Sequence, residues 1–234
     1  MIAGLQKMTL LDFPGRVACT LFLQGCNFRC PFCHNSELLP QGGEPLMEMP
    51  EFLAFLKKRQ GLLDGVCVSG GEPTLCPELE PLLEGIKALG FSVKLDTNGS
   101  RPDVLKALVA KGLVDYVAMD VKNGPSRYAE TVGLPRYSLD KVEESLRFLM
   151  TDSVDYELRT TVAAQLHDRA SLEGMGRWLA GLSAPRKPRR LFLQNFVDRD
   201  TVIFSGLSAP GEGEMSEYVA LLSQYVEKIS IRGT

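Results

Sequence analysis

This 234-residue sequence contains no run of about 18 uninterrupted apolar residues, so no membrane-spanning helix is expected. The N-terminal Met1-Ile2-Ala3-Gly4-Leu5-Gln6-Lys7 lacks the charged-then-apolar order of an export signal, which makes the cytoplasm the expected location. There is no basic excess. Lys and Arg number 26 against 29 Asp and Glu, a formal net charge of −3, which argues against a nucleic-acid binder working by phosphate neutralisation. The one basic cluster, Arg186-Lys187-Pro188-Arg189-Arg190, reads as a solvated turn before a strand. No Gly-x4-Gly-Lys phosphate loop and no Ser/His/Asp hydrolase pattern is present. Nor is there an internal repeat or a dividing linker. Ser205 to Glu214, rich in Gly, Ser and Pro, reads as a loop within a single domain spanning 1–234, with a core over about 15–200 and a C-terminal helix and strand in 211–234.

Six cysteines in a reducing compartment favour metal or catalytic roles over disulfides. Three fall within eight residues, in Gly25-Cys26-Asn27-Phe28-Arg29-Cys30-Pro31-Phe32-Cys33-His34-Asn35. Their spacing is Cys-x3-Cys-x2-Cys, and no fourth cysteine follows nearby. Electron-transfer clusters normally have four. A cube held by three thiolates has one iron open to a substrate, as a catalytic zinc keeps one position free. A zinc site with His34 as fourth ligand is the structural alternative, but His34 directly follows Cys33, and adjacent residues rarely span one tetrahedral site. Cys19 and Cys67 lie in apolar strand-like runs and read as small buried hydrophobes. Cys76 stands apart from the triplet.

Strand-like and helix-like segments alternate along the chain. Strands are expected at Val17–Leu23, Gly65–Ser69, Phe91–Asp96, Val114–Val121, Tyr156–Val162, Leu191–Phe196 and Ile229–Ile231. Helices are expected at Pro50–Gln60, Pro77–Leu89, Pro102–Lys111, Leu139–Met150, Leu172–Leu182 and Glu214–Val226. Gly90 and Gly112 follow two of them as C-terminal caps. Such βα alternation calls for an α/β fold with a parallel sheet and helices outside. Periodicity alone leaves open whether that sheet is a partial barrel or a doubly wound layer.

The unusual residues collect at strand ends, where parallel α/β folds gather functional groups. The cysteine loop follows the first strand. Ser69-Gly70-Gly71-Glu72-Pro73 follows the second. Asp96 ends the third, and Asp120 with Lys122 ends the fourth. Arg159 lies late in the fifth, and Gln194 with Asn195 ends the sixth. Each has a plainer reading: a tight turn for Gly70-Gly71, helix capping for Asp96, a surface strand residue for Arg159. His167 reads as a solvated or capping residue.

Cys-x3-Cys-x2-Cys with an aromatic residue, Phe32, before the last cysteine resembles the radical S-adenosylmethionine (SAM) enzymes. Leu11-Asp12-Phe13-Pro14-Gly15, Leu23-Gln24-Gly25 and Cys33-His34-Asn35 extend the resemblance to the activating proteins of anaerobic ribonucleotide reductase, which belong with the pyruvate formate-lyase activase among the glycyl-radical-enzyme activases. The resemblance runs from about Leu5 to about Phe196 and is tightest over the first forty residues.

The resemblance implies a partial (β/α)6 TIM-like barrel. It implies a [4Fe–4S] cluster on Cys26, Cys30 and Cys33, which reductively cleaves SAM to a 5′-deoxyadenosyl radical, with no catalytic side chain beyond the cluster and SAM. Phe32, Asn35, Gly70, Gly71, Glu72, Asp96, Asp120, Lys122, Arg159 and Gln194 become candidate cofactor-binding residues. Among these, Gly70-Gly71-Glu72 would hold the methionine ammonium and Lys122 its carboxylate, and Asp96 and Asp120 would hold a monovalent cation. Gln194 and Asn195 stand where the formate-lyase activase has a histidine. The implied partners are a glycyl radical enzyme, the anaerobic ribonucleotide reductase first, and a flavodoxin- or ferredoxin-type reductant. A small-molecule enzyme of the 7-carboxy-7-deazaguanine synthase type and a non-enzymatic metal-binding module are the alternatives.

Overall fold

The computed structural model describes residues 2–40, 42 and 44–232. Gly233 and Thr234, at the end of the expected C-terminal segment, lie outside the described residues. One eight-stranded sheet carries the fold, and its spatial order is the chain order. Strands β1 (Ile2–Thr9) and β2 (Ala18–Leu23) pair antiparallel. From β2 onward every neighbour is parallel: β3 (Gly65–Gly70), β4 (Ser92–Thr97), β5 (Tyr116–Asp120), β6 (Asp155–Val162), β7 (Arg190–Asn195) and β8 (Lys228–Arg232). Helices α1 (Met49–Lys57), α2 (Leu79–Ala88), α3 (Pro102–Ala110), α4 (Tyr128–Thr131), α5 (Asp140–Leu149), α6 (Arg169–Ser183) and α7 (Glu212–Leu222) fill the crossovers.

This order settles what periodicity left open. A doubly wound sheet reverses its strand order at a switch point. Here the order never reverses, and because parallel crossovers are right-handed, every helix lands on the same face. The sheet therefore curls into a partial barrel with helices outside. Val66, Val68, Val93, Leu95, Val117, Met119, Leu158, Leu191 and Leu193 face the helices in one buried core. The helices lie down by their apolar stripes, as α2 does through Leu79, Leu82, Leu83 and Ile86.

Two boundaries differ from expectation for identifiable reasons. Strand β1 was not anticipated; its ends, Ile2 and Thr9, are buried while Gln6, Lys7 and Met8 are exposed, so it is an edge strand without clean alternation. Helix α6 starts at Arg169, not Leu172. Asp168 caps it, accepting a hydrogen bond from the Ser171 N–H at 2.7 Å, and its own N–H donates to the Ser171 hydroxyl at 3.1 Å. The Asp-Phe-Pro-Gly segment plugs the barrel floor. Phe13 packs against Tyr116 with ring centroids 6.1 Å apart, and the Thr20 hydroxyl donates to Asp12 at 2.6 Å.

The inner face of the sheet is charged. Glu157 on β6 is fully buried, with both oxygens bound by Arg232 of β8 at 2.7 Å and one by the Tyr116 hydroxyl at 2.9 Å. Arg232 reaches it across β7, its guanidinium 4.0 Å from the Phe192 ring centroid. Burial pushes the Glu157 carboxyl up, but the Arg232 hydrogen bonds and charge outweigh it and hold the group below its ordinary value. Arg232→Ala leaves that carboxylate with one donor. The expected loss is roughly 2–3 kcal/mol at pH 7, under the usual figure for a broken buried pair because Arg232 is partly exposed. A carboxyl with a lowered folded value stabilises above its unfolded pKa and loses that contribution as pH falls through the folded value. The gap between wild type and variant in urea unfolding should therefore narrow below about pH 4.

Candidate active site

The cysteine loop leaves β2 at Leu23 and is held at its base by the turn after β3. Gly71 N–H donates to the Leu23 carbonyl at 2.9 Å, and Glu72 N–H to the Gly25 carbonyl at 2.7 Å. The approach is so close that a Cβ on Gly70 would lie 2.3 Å from the Leu23 carbonyl oxygen, and one on Gly71 would lie 2.2 Å from that of Gly25. Gly70 also has φ +124°, a conformation open to glycine. The Gly-Gly pair is thus required by backbone contact with the loop.

Three other segments brace the loop. The turn after β4 reaches it through Asn98, whose amide donates to the Asn27 side chain at 2.9 Å and lies 4.0 Å from the Cys26 sulfur. The segment around α4 meets its far side. Arg29 N–H donates to the Val132 carbonyl at 2.9 Å, and Phe28 meets Tyr137 edge-on at 5.1 Å. The stretch after β7 closes over the end. His34 Nε2 bonds the Val197 carbonyl at 2.7 Å, the Thr201 hydroxyl donates to the His34 carbonyl at 2.7 Å, and Phe204 N–H donates to the Pro31 carbonyl at 3.1 Å. His34 is thereby committed to the backbone.

Cys26, Cys30 and Cys33 line one wall of a cavity of ≈ 250 Å³. Phe32 and Asn35 share that wall, with the Asn35 amide 3.4 Å from the Gly70 carbonyl. Gly70, Gly71, Asp96, Asp120, Lys122, Arg159 and Gln194 complete the lining, so strands β3 to β7 all contribute. Among the described residues no three His, Cys, Asp or Glu side chains gather tightly enough for a single metal ion. A cube takes each thiolate at a different iron, so its three sulfurs need only face one volume. Burial pushes the Cys26 thiol up and the Cys30 thiol up to about 12, despite the nearby Lys122 charge, so these groups hold their protons until a metal displaces them.

The structure places Glu72 and His167 otherwise than expected, and sets aside the surface-strand reading of Arg159. Glu72 is fully buried and does not line the cavity. One oxygen accepts from Thr74 N–H at 3.1 Å, from the Thr74 hydroxyl and from the Thr97 hydroxyl at 2.8 Å; the other accepts from Asn98 N–H at 2.6 Å. It straps the β3 and β4 turns together, buried away from the cavity. Asp96 and Asp120 pair with cations of the protein itself. Arg159 bridges them, Nη1 to Asp96 at 3.2 Å and Nε to Asp120 at 2.9 Å. Lys94 closes on Asp96, and Lys122 on Asp120 at 2.9 Å. Arg159 is therefore an inner-face residue. His167 is buried, its Nε2 bonded to the Lys122 carbonyl at 2.8 Å, and is neither solvated nor a cap.

The chain Lys94–Asp96–Arg159–Asp120–Lys122 sets the field of the cavity. Of these, Asp96, Asp120, Lys122 and Arg159 line the cavity, two carboxylates against two cations, while Lys94 is buried beneath them. Burial alone would raise both carboxyls. Arg159 and Lys94 hold Asp96 below its ordinary value, and Arg159 and Lys122 hold Asp120 down at about 2. Lys94, 1% exposed and paired within its own strand, was missed in the sequence, as was Asn98. A lone lysine inside Ser92-Val93-Lys94-Leu95-Asp96 was the available signal.

The family model described as the radical SAM superfamily matches residues 20–154. The chain belongs to the radical SAM superfamily. It is 29% identical over 241 aligned residues, 99% of this chain and 95% of the relative, to a protein of Methanocaldococcus jannaschii whose name assigns it to the glycyl-radical enzyme activating enzymes. It is 33% identical over 136 residues to a 7-carboxy-7-deazaguanine synthase of Koribacter versatilis, 58% of this chain and 57% of that one. A domain of a pyruvate-formate lyase-activating enzyme from Bacteroides vulgatus superposes with a TM-score of 0.58 at 21% identity, over 72% of this chain and 99% of that one, a likeness of fold. Enzymes of this superfamily use a [4Fe–4S] cluster and SAM. The three thiols and the cavity they share with Lys122 and Arg159 fit that pair.

Gly71→Ala tests the base of the loop. Its Cβ would force the β3 turn away from the Gly25 carbonyl. Iron and sulfide after anaerobic reconstitution should fall from about four per chain to less than half of that, while far-ultraviolet circular dichroism retains the wild-type helix content.

Proposed function

We propose that this protein is a glycyl-radical-enzyme activase whose partner is an anaerobic ribonucleoside-triphosphate reductase. The observation that carries the activase reading is similarity along 99% of the chain to a protein named as a glycyl-radical enzyme activating enzyme, and the choice of partner rests on the Leu11–Gly15 and Cys33-His34-Asn35 motifs. The open sheet supports it: β1 and β8 are edges, so the partial barrel has a side through which a loop of another polypeptide can enter.

In this reading Cys26, Cys30 and Cys33 would hold the cluster, and SAM would bind in the cavity beside them. The Gly70 and Gly71 turn presents carbonyls to the ammonium. Lys122 and Arg159 attract the carboxylate, and Asp120 and Asp96 keep these two cations aimed into the cavity. Phe32, with the Lys122 ammonium 5.9 Å from its ring centroid, keeps that end dry, and Asn35 fixes the loop beside Gly70. When bound, the cofactors supply one-electron cleavage of SAM and a 5′-deoxyadenosyl radical that takes a hydrogen atom from a glycine Cα. The protein contributes chelation, orientation and exclusion of water. A flavodoxin- or ferredoxin-type reductant in the cytoplasm supplies the electron. A second reading, a small-molecule enzyme of the deazaguanine synthase type, draws on the 33% identity with such an enzyme over part of the chain.

The deciding experiment uses anaerobically reconstituted protein, dithionite, SAM and an anaerobic ribonucleotide reductase, with Cys30→Ala as control. The activase reading expects 5′-deoxyadenosine together with a glycyl doublet in the EPR spectrum of the reductase, both lost in the variant. Cluster-dependent 5′-deoxyadenosine with no glycyl signal on any glycyl radical enzyme, and turnover with a pterin-type acid, would transfer the assignment to the second reading.

A further inference from the structure

The inner face of β4 carries a buried ion pair within one strand. Lys94 and Asp96 stand two residues apart, so both side chains point to the concave side of the sheet. The Lys94 ammonium closes on Asp96 Oδ1 and lies 3.7 Å from the Cys67 sulfur on β3. Burial pushes the Cys67 thiol up, so that sulfur keeps its proton and offers Lys94 no charge. The counter-charge of Lys94 is therefore Asp96.

The resemblance implies a monovalent cation on Asp96 and Asp120. Such an ion needs carboxylate oxygens with open lone pairs, and the donor set does not fit it. Asp96 Oδ1 is taken by Lys94, and its Oδ2 accepts from Arg159 Nη1 at 3.2 Å and from the Ser69 hydroxyl at 3.1 Å. Asp120 Oδ1 accepts from Arg159 Nε at 2.9 Å, and its Oδ2 from Lys122 at 2.9 Å. Each of the four oxygens already faces a protein donor. Lys94, Arg159 and Lys122 are three cations to two carboxylates, and the nearby Glu157 is matched by Arg232, so an added cation meets repulsion. Arg159 reaches Asp96 across β5. In that register Ala118 lies between Asp96 and Glu157, and its methyl group is too short to block the crossing.

We propose that the Lys94 ammonium is the built-in counter-ion of this site: it takes the place of an inorganic cation on Asp96 and, through Asp96, positions Arg159 at the cavity. Lys94 is not among the residues that line the cavity, so it acts as a positioning residue. With its ammonium in place Asp96 stays ionised although buried, and one carboxylate serves both Lys94 and Arg159. Without it, Oδ1 of Asp96 has no donor and draws the guanidinium back toward β4, away from the bound cofactor. SAM binding here is consequently indifferent to sodium and potassium. The inference holds for any SAM-dependent reaction at this site and does not depend on the activase reading.

The test uses cluster-loaded protein without reductant, so that SAM binds and is not cleaved. Affinity is read by equilibrium dialysis in potassium, sodium or tetramethylammonium chloride, the last too bulky for the ammonium's place. Ionic strength is held at about 0.1 M so that screening is equal. Wild type should bind SAM equally in all three. Lys94→Met keeps most of the stem and leaves the ammonium's volume empty. Its affinity per loaded cluster should fall about tenfold in tetramethylammonium and largely recover in potassium or sodium. The thermal midpoint of the loaded protein without SAM gives a second readout, which potassium should raise more in the variant than in wild type. Lys94→Gln, a neutral donor, serves with the same expected recovery where the methionine variant does not fold. Equal loss in all three buffers would make Lys94 a packing residue and overturn the proposal. So would undiminished affinity in the variants, or a wild type that binds SAM more tightly in potassium than in tetramethylammonium.

Discussion

Arg159 is the point on which the inner face of the sheet turns. One guanidinium spans the ends of β4 and β5 by binding Asp96 and Asp120, and Lys94 and Lys122 complete the alternation from outside. Without it two buried carboxylates would face each other across neighbouring strands, and burial would drive them to protonate. With it, a partial barrel of parallel strands can carry charge on its concave side while the convex side packs as an ordinary apolar core. Lys122 and Arg159, held in place by their carboxylates, share the cavity with the three thiols.

The cysteine loop is a second instance of distributed support. Its base is fixed by backbone contact with the Gly70-Gly71 turn, its middle by Asn98, its far side by the α4 region and its end by the stretch from Val197 to Phe204. Those contacts come from crossovers far apart in the chain, so the loop's shape is a product of the whole fold. Glu72 shows the same economy. A carboxylate expected to meet the cofactor instead accepts hydrogen bonds from Thr74, Thr97 and Asn98, and so keeps the turns that carry the glycines and Asn98 at fixed spacing.

Much of this was legible in the sequence because its signals were local. The three cysteines, the Gly-Gly turn and the βα alternation are short-range patterns, and the structure brings Cys26, Cys30, Cys33, Asp96, Asp120, Lys122, Arg159 and Gln194 to one cavity. What escaped was pairing across strands. Whether Asp96 meets a bound cation or Arg159 depends on the parallel register of β4, β5 and β6, which no spacing along the chain encodes. Lys94 was hidden for the same reason, since a lysine in an apolar run has meaning only once its neighbours are known. Strand β1 escaped because an edge strand buries too little to show its period.

The floor of the barrel has its own consequence. Phe13, seated against Tyr116 and close over Gly65, closes the end opposite the cysteines. That end is stoppered by an aromatic pair from the chain's own N-terminal region, so the cavity is reached from the C-terminal ends of the strands and from the open side between β1 and β8. A substitution at Phe13 would therefore act on the cavity from beneath, through the strands whose far ends carry its lining, without touching a lining residue.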